Sequence, residues 1–99
     1  MKKIVLLCAS GMSTSLLVSK MEQAAKDLNF DCTIEAHSVS GFKDHTDGAD
    51  IVLLGPQVRF QMNKIKSQLD CPVETIDITS YGRMDGTAVI ENVMNSLGV

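Results

Sequence analysis

The chain has 99 residues, of which 44% are hydrophobic and 21% charged, and its formal net charge is −3. This length predicts a single domain spanning residues 1–99, and the composition is ordinary for a globular protein. Nucleic-acid binding is not expected, because no basic stripe is available to neutralise several phosphates.

The first predicted strand, residues 2–7, is almost continuously apolar, as expected for a parallel strand that helices cover on both faces. A loop of small or flexible residues separates it from the next helical pattern. Backbone N–H groups between a strand end and a helix have no helical partners and can bind an anion. This candidate phosphate-binding loop consists of Ala9, Ser10, Gly11, Met12, Ser13, Thr14 and Ser15.

Cys8 stands between this strand and the loop. Unpaired N–H groups and the positive end of a helix favour a thiolate, which makes Cys8 a candidate nucleophile. Taken alone, such a cysteine is most often a small buried hydrophobe, and a Ser- and Gly-rich stretch is most often a turn with a helix cap. Together the two features favour a functional site, because a backbone that wraps a phosphate needs residues without bulky branched side chains.

A helix is predicted over residues 13–28, with Ser13 as its N-cap. Its apolar face recurs at intervals of four, three and four, at Leu17, Met21, Ala24 and Leu28. Residues 31–37 alternate loosely, which predicts an edge strand. Residues 38–49 are rich in glycine and polar residues, and we predict only a short crossover helix there, at 41–45.

A further buried strand is predicted over residues 50–54, ending at a turn that begins with Gly55. The helix that follows is predicted to end before Pro72, since the residue preceding a proline disfavours helical geometry. Its apolar positions are Val58, Met62, Ile65 and Leu69.

The last part of the chain predicts a strand over residues 73–78, a loop over 80–86 and a helix over 86–97 that stops at Gly98. Four strands separated by helical segments predict an α/β fold with a parallel sheet and helices on both faces. Ligands of such sheets bind at the carboxyl ends of the strands, where the strand order switches. If the first strand is central, the segments 8–15, 55–57 and 80–85 should converge there.

The cysteines and histidines do not indicate a disulfide or a metal site. Cys8, Cys32 and Cys71 are odd in number and are not clustered with the histidines at zinc-ligand spacing. His37 and His45 are expected to be surface or strand-end residues, since neither belongs to a catalytic motif. We therefore expect neither a metal nor another cofactor.

The basic N-terminus followed by an apolar run could suggest a signal peptide, but the run is short and breaks at polar residues. No stretch has the length of a membrane span. We therefore expect a cytoplasmic protein without direct membrane insertion.

The chain resembles the IIB component of the lactose/cellobiose/diacetylchitobiose group of the bacterial phosphoenolpyruvate-dependent sugar phosphotransferase system. The resemblance rests on CASGMSTSLLVSKM at 8–21, DIVLLGPQV at 50–58 and YGRMDG at 81–86. It implies a four-stranded parallel sheet of order 2-1-3-4, with the flavodoxin-like topology of low-molecular-weight tyrosine phosphatases. It also implies a phosphotransferase that takes a phosphoryl group from a IIA phosphohistidine and passes it to a disaccharide held by the membrane transporter IIC.

By this resemblance Cys8 is the phosphorylated residue, and the loop after it cradles the phosphoryl oxygens through N–H groups and hydroxyls. Tyr81 and Asp85 match the family's YG-x-x-DG run, and with Gly55 and Gln57 they are candidates for supporting or docking residues. Met12 is either an exposed docking contact or folded into the helix cap. We expect a monomer that meets the inner face of the membrane transiently, through IIC.

Two alternatives compete with this role as a phosphoryl carrier. A cysteine-dependent phosphatase of low molecular weight carries the signature Cys-x5-Arg, but Thr14 stands at the arginine position and the chain's arginines are Arg59 and Arg83. A flavodoxin-like module that binds a phosphate ligand or flavin mononucleotide would need aromatic side chains beside the flavin ring. The chain has no Trp and one Tyr.

Overall fold

The computed structural model describes residues 1–9 and 12–99, apart from the side chains of residues 12 and 13. Its strands are β1 Lys2–Cys8, β2 Cys32–Ser38, β3 Ile51–Leu54 and β4 Val73–Thr75. Its α-helices are α1 Met12–Asp27, α2 Met62–Lys66, α3 Ile78–Gly82 and α4 Gly86–Leu97. Two 3-10 helices cover Phe42–Asp44 and Pro56–Gln61.

The four strands form one parallel sheet in the order β2-β1-β3-β4, which confirms the predicted order. β1 is hydrogen-bonded on both sides, and β2 is an edge strand, as its looser alternation indicated. Leu7 pairs with Leu54 of β3, and Cys8 pairs with Ser38 of β2. The carboxyl end of β1 therefore lies between those of β2 and β3, where the strand order switches.

The continuous apolar run of β1 serves two cores at once. Ile4 and Leu6 face a layer formed by α1, α3 and α4, whereas Val5 and Leu7 face α2 and the two 3-10 helices. All four side chains are almost completely buried. Burial of each such side chain contributes about 1.5–3 kcal/mol. This burial on both faces explains why the sequence of β1 is a continuous run of apolar residues and does not alternate between apolar and polar ones.

Helix α4 packs directly against the backbone of α1. A Cβ placed on Gly86 would lie 2.4 Å from the carbonyl carbon of Lys20 and 2.6 Å from the amide nitrogen of Met21. Asp85 caps the same end of α4, because its carboxylate accepts a hydrogen bond from the amide of Ala88 at 3.1 Å. The first turn of α4 thus needs glycine at its start to approach α1.

The structure corrects two helix predictions. The helix predicted across Val58 to Leu69 is instead the 3-10 helix Pro56–Gln61 followed by the short α2, which ends at Lys66. Helix α1 begins at Met12, so Ser13 lies in its first turn and is not the predicted N-cap.

The strand predicted over residues 73–78 is also too long, because β4 ends at Thr75. Asp77 then accepts a hydrogen bond from the amide of Ser80 at 3.2 Å and caps α3, which occupies part of the predicted loop 80–86. A capping aspartate ends the extended run, and Ile78 is left 58% exposed. The last helix, by contrast, has the predicted bounds and ends at Leu97, with Gly98, whose φ is +71°, as its C-cap.

Candidate functional site

Cys8 is the last residue of β1, and its position is held from both neighbouring strands. Its carbonyl oxygen accepts from the amide of Val39 at 2.9 Å, and the carbonyl of Leu7 accepts from the amide of Gly55 at 2.9 Å. The Sγ lies 3.8 Å from the carbonyl oxygen of His37. The thiol is only 3% exposed. Cys8 therefore sits at a rigid point of the sheet edge.

The turn after β3 lies beside Cys8, as the topology predicted. A Cβ on Gly55 would be 3.7 Å from the Cys8 Cβ and 3.2 Å from the Gln57 Oε1. Gly55 is buried and Gln57 is exposed. The Gln57 amide and Cys8 thus flank the same small volume at this edge.

Helix α3 reaches the beginning of α1 through two hydroxyls. The Oγ1 of Thr14 and the phenolic oxygen of Tyr81 are 3.5 Å apart, and both residues are buried. This contact brings the segment 80–85 to the site, in agreement with the expected convergence. Asp85 has a different place, since its carboxylate caps α4.

The loop itself is described only in part. Ser10, Gly11 and the side chains of Met12 and Ser13 lie outside the described residues, so their assignments stay predictions. Ala9 and Ser15 are exposed, whereas Thr14 is 1% exposed. Because α1 starts at Met12, the positive end of a 16-residue helix follows Cys8 within a few residues.

Two features of the site escaped sequence analysis. Thr14 was predicted as a phosphate donor, but its hydroxyl lies near Tyr81, which is 67 positions away in the chain. No local pattern could have indicated this pair. The carbonyl of His37 beside Cys8 could have been found only from the register of β1 and β2.

The two histidines lie where a strand and a short helix end. His37 is in β2, and His45 ends the 3-10 helix Phe42–Asp44. Their rings stack with centroids 4.0 Å apart and planes 6° apart, and the His37 Nε2 is 3.0 Å from the carboxylate of Glu35. The hydrogen bond from His37, helped by Lys3, lowers the pKa of Glu35. Within the described residues no group of His, Cys, Asp and Glu could hold a metal ion.

The other two cysteines lie at the opposite edge of the sheet. Cys32 pairs with Lys2 at the amino end of β1, and Cys71 precedes β4. Burial raises the pKa of both thiols; the charge of Asp31 raises the pKa of Cys32 further, and that of Asp50 raises the pKa of Cys71. Their thiolates are therefore disfavoured, and neither thiol is placed to reach Cys8.

If the chain transfers phosphoryl groups as the resemblance implies, we expect Cys32→Ala and Cys71→Ala to retain transfer to within about twofold of the wild-type rate, because both thiols lie at the opposite edge of the sheet from Cys8 and burial disfavours their thiolates. The transfer rate of each variant is measured in a quenched time course, and its stability is measured by thermal unfolding. A folded variant with severely impaired transfer would show that a second thiol takes part.

Comparison with known proteins gives the family. The family model described as "PTS system, Lactose/Cellobiose specific IIB subunit" matches residues 3–92. The chain is 41% identical over 98 residues to the oligo-beta-mannoside-specific EIIB component of Bacillus subtilis, covering 96% of this chain and 95% of the relative. It is also 41% identical over 105 residues to the cellobiose-specific EIIB component of Lactococcus lactis, covering 95% and 97%.

A solved structure with a similar sequence has the same fold as this chain. The cellobiose-specific IIB component of Borrelia burgdorferi superposes with a TM-score of 0.79 at 36% identity, covering 98% of this chain and 92% of the other. All three candidate functions occur on this type of sheet, so it is the family match over residues 3–92 that favours the phosphoryl carrier over the phosphatase and flavin-binding alternatives. In the part of the chain that the structure describes, no helix is long and apolar enough to span a membrane.

The chain therefore belongs to the lactose/cellobiose-specific IIB family of the sugar phosphotransferase system, whose members are phosphotransferases that carry the phosphoryl group on a cysteine.

Proposed function

We propose that Cys8 is the residue that carries the phosphoryl group, and that the loop 9–15 with the N-terminus of α1 is its cradle. The observation that carries this proposal is the place of the thiol. Cys8 ends the central strand, directly before the loop and the positive end of α1, beside the turn at Gly55. The two other thiols lie at the far edge of the sheet.

The chemistry follows from this place. The Cys8 thiolate attacks the phosphorus of a IIA phosphohistidine, the P–N bond breaks and an S–P bond forms. A sugar hydroxyl then attacks the same phosphorus and gives up its proton to water; an O–P bond forms, the S–P bond breaks and the thiolate is restored. N–H groups of the loop stabilise the charge on the equatorial oxygens in both steps. The absence of an arginine at position 14 suits a carrier, whose phosphocysteine must survive until the acceptor arrives.

The acceptor is proposed to be a disaccharide of the cellobiose, diacetylchitobiose or lactose type, bound by the IIC transporter. Relatives over nearly the full length are named for cellobiose and for oligo-beta-mannosides. Both names describe short sugars, and specificity between them is proposed to reside in IIC.

We further propose that residues 1–99 act as a single IIB domain and as a monomer. It works in the cytoplasm and meets the membrane only through IIC. IIA and IIC must use Cys8 in turn, so their footprints overlap at the loop 9–15, the turn 55–57 and the segment 80–85 around Tyr81. Both complexes are therefore transient, with interfaces at the lower end of the usual range, about 1,200 Å².

The direct test is intact-mass analysis after incubation with phosphoenolpyruvate, enzyme I, HPr and a matching IIA. We expect the mass of one phosphoryl group to be added and peptide mapping to locate it on Cys8. Omission of IIA should prevent the addition. Phosphorylation of another residue, or none under these conditions, would contradict the proposal.

Gln57→Glu should slow transfer from phosphorylated IIA about 3- to 10-fold at low ionic strength, because it places a negative charge next to Cys8 and the incoming phosphoryl group. The two side chains have nearly the same shape, and Gln57 is exposed, so the fold should be unchanged. The transfer rate is measured at two ionic strengths, and the difference should shrink in salt.

Gln68→Glu is the matched control, since this exposed residue follows α2 and lies beside Cys71, away from the site. It adds the same charge and should leave the rate unaltered. Equal rates for wild type and the Gln57 variant at both ionic strengths would remove the turn 55–57 from the docking face.

A further inference from the structure

Two polar side chains in the described part of the chain are buried, those of Thr14 and Thr46. A buried hydroxyl is unfavourable unless it finds a hydrogen-bonding partner. The hydroxyl of Thr14 lies 3.5 Å from that of Tyr81, whose ring belongs to the core between the sheet, α1 and α4. Because this polar contact lies inside an apolar layer and involves the first turn of α1, which follows Cys8 in the chain, it is a candidate for a role beyond packing.

The pair joins the first turn of α1 to helix α3. Thr14 is the third residue of α1, so it belongs to the turn whose N–H groups face the loop after Cys8. Tyr81 is held by α3, which Asp77 caps, and its own amide donates to the carbonyl of Asp77 at 2.9 Å. The next helix, α4, is locked onto α1 at Gly86. Tyr81 is thus held in place on α3 and can fix the position of the first turn of α1 through Thr14.

We propose that Thr14 and Tyr81 form a positioning pair that aligns the first turn of α1 with Cys8 during phosphoryl transfer; the inference rests on the proposed role of Cys8. In-line transfer tolerates little misplacement, since an error of about 1 Å can slow a reaction roughly 100-fold. The N–H groups of α1 must meet the equatorial oxygens as the phosphoryl group moves between nitrogen, sulfur and sugar.

The distance between the two hydroxyls predicts how their removal should divide between stability and rate. A separation of 3.5 Å is long for a hydrogen bond between two hydroxyls, so its loss should change stability little. Its loss should, however, widen the range of orientations of the first turn of α1. The pair is therefore expected to affect the transfer rate more than folding, and to act on the maximal rate rather than on docking of IIA.

The experiment measures single-turnover transfer from phosphorylated IIA to Cys8 over a range of IIA concentrations. Tyr81→Phe and Thr14→Val each remove one hydroxyl, and each should lower the maximal rate roughly tenfold while half-saturation stays within about twofold. The double variant should be no slower than the slower single variant, because either change breaks the same contact. Thr14→Ser keeps the hydroxyl and should restore most of the rate.

Thr46→Val is the matched control. Thr46 is the other buried threonine, and it lines a cavity with Cys71 at the far edge of the sheet. Its variant should transfer at the wild-type rate even if it unfolds more easily.

Wild-type rates for Tyr81→Phe, additive effects in the double variant, or a change confined to half-saturation would overturn the positioning role. If the wild-type chain accepted no phosphoryl group at all, the proposed function would be wrong and this inference with it. Normal wild-type transfer with unaffected variants would contradict this inference alone.

Discussion

Cys8→Ser is expected to abolish phosphoryl transfer while leaving the fold intact. A serine hydroxyl is not ionised at neutral pH, so it is a far weaker nucleophile than a thiolate. Loss of a nucleophile typically lowers rates by roughly three orders of magnitude or more. The change replaces one sulfur atom by oxygen at a residue 3% exposed, so the free energy of unfolding should fall by about 1 kcal/mol at most.

Sugar phosphorylation in a reconstituted system, together with thermal unfolding, measures both quantities. Cys71→Ser provides the control for the sulfur-to-oxygen change, because this thiol lies at the far edge of the sheet. It should transfer normally. Sugar phosphorylation by the Cys8 variant at the wild-type rate would end the assignment of Cys8.

Gly86→Ala is expected to give the largest loss of stability, about 3 kcal/mol. The added methyl group would lie 2.4 Å from the carbonyl carbon of Lys20 and 2.5 Å from its oxygen. These are backbone atoms of α1, which cannot move aside as a flexible side chain can, so α4 must shift away from the core. For a domain whose total stability is of order 5–15 kcal/mol, this is a large fraction.

Gly82→Ala is the matched control, because Gly82 ends α3 and a Cβ there meets no atom within 4 Å. Its stability should be unchanged or higher by up to about 1 kcal/mol, since alanine favours helix over glycine. Urea denaturation of both variants measures the difference. Equal midpoints for the two would show that α4 does not need glycine to approach α1.

Much of the fold could be predicted from residue patterns, because the responsible interactions are local or repeat along the chain. An almost continuous apolar run predicted the buried strand 2–7. The spacing of apolar residues between Asp85 and Gly98 predicted α4. The candidate site could be located as well. A thiol at a strand end before small residues points to one edge of a parallel sheet, whatever the remaining structure.

Short elements were harder to predict, because their local signals compete. The run VETIDI alternates like a strand, but Asp77 is also a strong helix cap, and the cap ends the strand at Thr75. The apolar spacing from Val58 to Leu69 fits an α-helix, but the segment begins with Pro56 as a 3-10 helix and its α-helical part is only five residues long.

Sequence patterns alone thus determined the two-sided core and the position of Cys8, since hydrophobic periodicity and strand-end chemistry depend on neighbouring residues. The strand order 2-1-3-4 came from the resemblance to the IIB family, and the structure confirms it. Only the tertiary structure decided which distant side chains meet. Thr14 finds Tyr81 across 67 positions, and Gly86 meets the backbone of Lys20. Such contacts depend on how α3 and α4 pack against α1. Close packing and burial bring these residues together, although no local sequence pattern relates one to the other.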